Sequence, residues 1–132
     1  MSWKYEQSSG KMFADSGELV GIGYSGAPGH KNKPEDEPLH NQGPIPHGHW
    51  IIFDPPFDTA EHGPYVLRLT PLATTETYGR SGFLIHGDSV HAPGTASEGC
   101  IILSRDVRQK IWGSGDREVN VVSGLPDEDV TA

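Results

Sequence analysis

Apolar and polar positions alternate with period two over short stretches of this chain, and turn-forming residues separate the stretches. In residues 3–7, Trp3 and Tyr5 alternate with Lys4 and Glu6, the pattern of a half-buried strand. Ser8-Ser9-Gly10 predicts a turn, residues 11–14 pair back, residues 15–18 turn again, and residues 19–24 form a third strand, giving a meander. Residues 49–53 and 65–70 predict core strands, separated by a bend over residues 54–57 and a turn at His62-Gly63-Pro64. Residues 83–86 predict a further apolar strand that ends on a histidine. The period then changes once. Ser104 has N-cap chemistry, Asp106 suits a first turn, and Val107, Ile111 and Trp112 share a face, so residues 104–112 predict a short helix ended by Gly113. Residues 118–122 are expected to close the sheet. Residues 26–44 follow neither period and read as a loop, with the charged run at residues 31–38 as a solvated surface. The whole predicts a mainly β fold with one short helix.

Composition agrees with many turns and short strands, since 17 glycines and 11 prolines accompany only 34% hydrophobic residues. At 132 residues the chain is long enough for one buried core, so residues 1–125 are expected to form a single domain and residues 126–132 a flexible tail. Ten basic residues against eighteen acidic ones give a formal charge of −8 without a basic stripe, which argues against nucleic-acid and anionic-lipid partners. One cysteine excludes an intramolecular disulfide. Residues 1–8 lack the apolar run of a secretory signal, and nowhere do about eighteen apolar residues stand together to span a membrane. Synthesis in the cytoplasm without a signal peptide is the expectation.

The lone cysteine stands in Ser97-Glu98-Gly99-Cys100-Ile101, fourteen positions after His86. Only a thiolate is a good nucleophile, and an ordinary free thiol is mostly protonated at neutral pH, so an imidazole must take its proton. His86, carried at the end of an apolar strand, is the candidate base, with His91 as the competing one. Gly99 lets the backbone turn sharply and lets a substrate approach, so the amides of Gly99 and Cys100 are candidate oxyanion donors. The competing interpretation makes Cys100 a small core residue leading into Ile101-Ile102-Leu103.

The flanking residues favour chemistry. His86-Gly87 followed by Ser97-Glu98-Gly99-Cys100-Ile101 resembles the L,D-transpeptidase catalytic domain, with its His-Gly or His-Ser pair and its Ser/Thr-His-Gly-Cys turn. Gly43-Pro44-Ile45-Pro46-His47-Gly48-His49-Trp50 is similar to the segment leading into a central strand of those domains, and residues 78–86 to the glycine-rich approach to the histidine. The resemblance spans about residues 43–112. Two departures stand out: Glu98 where the family usually has His, and Ile102 where it has Arg or Asn. From Trp3-Lys4-Tyr5 through residues 21–26 to residues 96–103, the chain looks like the small L,D-transpeptidase-like effectors delivered into rival bacteria by type VI secretion.

That resemblance implies a β-sandwich or barrel with a short helix after the catalytic cysteine, and no cofactor. It implies Cys100 as nucleophile and His86 as base, with the Gly87 carbonyl or Asp88 fixing the imidazole and Ser97, Gly87 and Gly99 orienting the site. With residue 102 apolar, Arg80 or Arg68 would receive the substrate carboxylate, the competing interpretation of each being a structural or surface arginine. The substrate would be the tetrapeptide stem of peptidoglycan, with water or a D-amino acid as acceptor, in the periplasm of the target cell. A cognate immunity protein and a secretion component would be the partners.

Two other classes compete. Zinc would use His47 and His49, which alternate on one strand, or His86 and His91 around Asp88. No His-Glu-x-x-His pattern supports it, and His30, His40, His47, His49 and His62 read as loop or surface residues. A non-catalytic wall-binding module is favoured by Glu98 and Ile102 and opposed by the retained His86, Gly99 and Cys100.

Overall fold

The computed structural model describes residues 1–125, in two mixed β-sheets and one α-helix. The expected tail at residues 126–132 lies outside the described residues. The mainly β class with one short helix is what the chain adopts.

Strands β1 (Trp3–Glu6), β2 (Lys11–Phe13) and β3 (Leu19–Ile22) form the predicted antiparallel meander. Trp3 and Tyr5 of β1 are buried while Lys4 between them is exposed, as period two requires. The last strand, β11 (Glu118–Val122), does not close the sheet from an edge. It lies parallel to β1, with Trp3 opposite Val119, and antiparallel to β5 (Gly48–Ile51), with Trp50 also opposite Val119. Its buried Val119 and Val121 explain the central position, because they need neighbours on both sides. With β8 (Thr70–Pro71) at one edge, the six-stranded order is β3-β2-β1-β11-β5-β8.

The second sheet takes β4 (Tyr24–Ser25), β6 (Phe57–Thr59), β7 (Gly63–Arg68), β9 (Leu84–His86) and β10 (Ile101–Ile102), in the order β4-β10-β9-β7-β6. Two runs that alternate as single strands are therefore each divided between the sheets. Residues 19–24 break at Gly23, where a Cβ would lie 1.7 Å from the Ile102 carbonyl oxygen, so only glycine lets the chain cross there. Residues 65–70 break at Leu69, which is buried and donates its N–H to the Phe83 carbonyl at 3.0 Å. Smaller shifts follow the same pairing. Phe57 leaves the predicted bend to open β6, Gly63 and Pro64 open β7, and Phe53 falls outside β5 and is exposed.

Helix α1 (Arg105–Gly113) is capped by Ser104 Oγ, which accepts from the Val107 N–H, and buries Val107 and Ile111. Gly113 is its last residue and not the stop beyond it. Ser114 is the C-cap, donating its N–H to the Lys110 carbonyl, and Gly115 takes the positive φ of +79°. One buried cluster draws Tyr5, Trp50 and Val119 from one sheet, Leu67, Ile85 and Ile101 from the other, and Ile111 from the helix. Trp50 and Phe83 meet edge to face within it, at 5.0 Å between centroids.

Residues 26–44 form a loop containing a short 3-10 turn at Pro34–Asp36. The charged run within it is not wholly solvated. Glu37 is buried, for reasons that belong to the site.

Candidate active site

Strand pairing brings the candidate pair together. β9 and β10 run parallel with Ile85 opposite Ile101 and His86 opposite Ile102, so Cys100 enters the same ladder level with Leu84. Positions 84 and 86 share one face of β9, and positions 100 and 102 the matching face of the neighbour. His86 and Cys100 both line a cleft of about 340 Å³, whose walls include Glu61, His62, Arg80 and Glu98.

His86 is 2% exposed. Its Nδ1–H donates to the Gly87 carbonyl at 2.8 Å, which in the neutral ring leaves Nε2 with a free lone pair. Nε2 is buried and has no hydrogen-bond partner among the described residues. Burial pushes the His86 pKa below its ordinary value; His62 and Arg108 act in the same direction, while Gly87 and Glu61 oppose them. Burial pushes the Cys100 thiol up to about 11, with Glu98 and Glu61 adding to the rise and Leu84 N–H and Arg80 opposing it. At neutral pH the pair is thus a thiol and a neutral imidazole, not an ion pair. Cys100 Sγ faces the Gly82 carbonyl at 3.8 Å.

Asp88 does not serve the imidazole. Its Oδ1 accepts from Tyr24 Oη at 2.6 Å and from the Ser89 and Gly94 N–H groups, which folds the loop between histidine and cysteine back on itself. His91, the competing base, is exposed on that loop and does not line the cleft.

The cysteine turn is tied down by two buried serines. Ser97 Oγ accepts from the Gly26 N–H at 2.9 Å and the Gly99 N–H at 3.0 Å, and donates to the Cys100 carbonyl at 2.7 Å. Ser25 Oγ donates to the Gly99 carbonyl at 2.9 Å and accepts from the Ile45 N–H at 2.8 Å. Because the Gly99 N–H is given to Ser97, it is not free to serve as an oxyanion donor. Gly99 itself sits at φ +143°, and a Cβ there would lie 2.4 Å from Arg80 Nη2.

Arg80 is buried, and its Nη hydrogens go to main-chain carbonyls. Nη1 donates to Glu37 and Pro44, and Nη2 to Gly43 at 2.8 Å and Glu98 at 3.2 Å. Its geometry is that of a clamp across three loops, not of a side chain extended toward a substrate carboxylate. Arg68, the other candidate, is outside the cleft, 3.6 Å from Asp54. Glu37 anchors the clamp from behind. Its carboxylate accepts from Gln7 Nε2 at 2.7 Å, His47 Nδ1 at 2.8 Å and Tyr78 Oη at 2.9 Å. Burial works to raise its pKa, yet the donors from Gln7, His47 and Tyr78 outweigh burial and hold the carboxyl below its usual range.

Sequence reasoning missed His62, whose ring lies against His86 with centroids 4.1 Å apart. It also missed Glu37 and Arg108, neither of which carries a local motif, and gave no role to Ser25 within residues 21–26. The zinc candidates are dispersed: His47 bonds Glu37, His49 lies beside Glu118 at 3.4 Å, and of the other pair His86 is buried while His91 is exposed, with Asp88 engaged by Tyr24. Among the described residues no group of three or more His, Cys, Asp or Glu side chains is placed to hold a metal ion. Among them, too, no helix is long and apolar enough to cross a membrane.

No curated protein and no solved structure matches the chain. Residues 21–123, which include every strand of the cleft and both candidate residues, match the family model described as Tlde1 domain. The chain belongs to the Tlde1 domain family of type VI secretion effectors.

Proposed function

We propose that the chain is a cysteine acyltransferase that attacks peptidoglycan tetrapeptide stems, with L,D-carboxypeptidase and D-amino acid exchange activities. The observation that carries this reading is the buried, unpartnered Nε2 of His86 in the cleft that holds Cys100. A buried polar atom without a partner is costly and rare, and here a reacting thiol proton is a fitting partner.

In the proposed cycle Cys100 Sγ attacks the carbonyl between the L-centre of the third stem residue and D-Ala as His86 Nε2 takes the thiol proton. In this cycle the Cys100 N–H takes the role of oxyanion donor, because the Gly99 N–H is engaged by Ser97. The C–N bond breaks, and the D-Ala amine leaves with the proton from His86. Water or the amine of a free D-amino acid then attacks the thioester, His86 takes the proton of that nucleophile and returns it to the sulfur. The product is a tripeptide or an exchanged stem.

Either outcome removes the donor stems that wall crosslinking uses, which accounts for toxicity in the periplasm of a target cell. Family membership implies a cognate immunity protein in the producer and delivery by the secretion machine. Incubation with disaccharide-tetrapeptide, with and without D-Met, tests the reading: D-Ala loss or replacement by wild type and not by Cys100→Ala supports it. No turnover by either protein overturns it and favours a wall-binding module.

A further inference from the structure

His86 is held from two directions that have different origins. Its Nδ1 edge is fixed by the Gly87 carbonyl at 2.8 Å, from its own strand. Its ring face is covered by His62, from the turn joining β6 and β7, with centroids 4.1 Å apart and planes inclined by 31°. That turn is built to stay in place. Thr59 Oγ1 accepts the His62 N–H at 2.7 Å, Gly63 pairs with Thr59, and Asp58 Oδ1 accepts the Tyr65 N–H at 3.1 Å. Arg108 of α1 then donates Nη1 to the Pro64 and Tyr65 carbonyls at 2.9 and 2.7 Å, pinning the turn against the helix.

We propose that His62 is a positioning residue for the reaction: its imidazole lies over His86, closes the base off from bulk water and holds Nε2 toward the cysteine. The inference rests on the proposed cysteine chemistry and goes beyond it, because the cover comes from a segment that carries no nucleophile, base or motif. The charged or titratable groups facing His86 are His62 and Glu61 from the turn, Arg108 from α1 and Cys100 from the segment before β10. Glu61 Oε2 stands 3.9 Å from His62 Nε2 at the solvent side of the stack, and the His62 side chain is 23% exposed. His62 is therefore the member of the stack that meets water, and His86 the member that does not.

The role predicts that a ring at position 62 is enough to keep the cover. His62→Phe keeps the cover, whereas His62→Ala removes it. The experiment labels the histidines with ¹³C and follows the His86 Cε1–H resonance, assigned with His86→Gln, through a pH titration of wild type and both variants. Turnover of disaccharide-tetrapeptide is measured on the same samples. His62→Phe is expected to leave the His86 midpoint near that of the wild type, and His62→Ala to raise it toward the ordinary histidine value as water reaches the ring. His62→Ala is expected to lower kcat by about 10- to 100-fold with little change in KM, the scale of a misplaced reacting group, while His62→Phe keeps most of the rate. Should His62→Ala lose its fold by circular dichroism, His62→Gln supplies the ring-free arm. A ring-free variant with the midpoint and kcat of the wild type overturns the inference, and so does a Phe variant as impaired as the ring-free one. If the wild type itself turns over no stem peptide, the proposed function fails, and the titration alone decides the role of His62.

Discussion

Gly99 and Arg80 exclude a side chain between them: a Cβ on Gly99 would lie 2.4 Å from Arg80 Nη2, the atom that also bonds the carbonyls of Gly43 and Glu98. The cysteine turn is shaped around the guanidinium as much as by its own backbone. Gly99→Ala would both strain a φ of +143° and push Arg80 off its carbonyls. The expected result is a protein destabilised by about 2 kcal/mol or more with turnover lost, read by chemical denaturation and product analysis.

Arg80→Lys keeps the charge but cannot reach four carbonyls in two directions at once. A clamp role predicts a large loss in kcat together with lower thermal stability. A purely substrate-binding role would instead raise KM and leave the melting temperature alone.

The neutral resting pair has a pH signature. With the His86 pKa below its ordinary value and the Cys100 thiol at about 11, kcat/KM should hold up below the usual histidine range and fall only where His86 takes a proton. Protonating the base removes the acceptor for the thiol proton, so the loss lies on the acid side. Iodoacetamide alkylation of Cys100 should be slow at neutral pH and still climbing in strong alkali. An alkylation rate that levels off near neutral pH would indicate an ion pair and contradict this picture.

Glu37 links acid stability to the site. Its folded pKa is depressed, so its contribution to stability is present above the unfolded value of 4.5 and fades as pH falls through the folded value. Glu37→Gln should therefore melt lower than wild type at neutral pH, with the difference shrinking as the pH drops well below 4.5. A melting difference that is the same at every pH would argue against the ionised carboxylate as the anchor.

Ser97 should matter without touching substrate. Ser97→Ala leaves the Gly26 and Gly99 N–H groups and the Cys100 carbonyl short of a partner in a buried turn, at a cost of roughly 1–3 kcal/mol for an unsatisfied buried group. Lower stability and slower Cys100 chemistry are expected together, measured by denaturation and by product formation.

The local patterns in the chain announce the strands, the helix cap and the His86–Cys100 spacing, because each depends on neighbours a few residues apart. What they do not announce depends on distant partners. The breaks at Gly23 and Leu69 leave period-two alternation intact, so nothing local marks the change of sheet. Gly113 looks like a helix stop until Ser114 and Gly115 take that role. Glu37 sits in a charged, proline-flanked run and is buried only because Gln7, His47, Tyr78 and Arg80 converge on it from other segments. His62 reads as a turn residue, and its place over His86 appears only once β7 pairs with β9. Arg80 was visible as a candidate, whereas its engagement with main-chain carbonyls was not.

The central claim is that His86 and Cys100 act as one acyl-transfer pair. Mass spectrometry of disaccharide-tetrapeptide incubated with D-Met tests it most directly, comparing wild type with Cys100→Ala and His86→Gln. The account predicts D-Ala release or exchange for D-Met by the wild type, a thioester-linked tripeptide mass on the wild-type protein or on a slow deacylating sample, and none of these with either variant. Turnover that persists in Cys100→Ala, or a wild type that leaves the tetrapeptide intact, would contradict it.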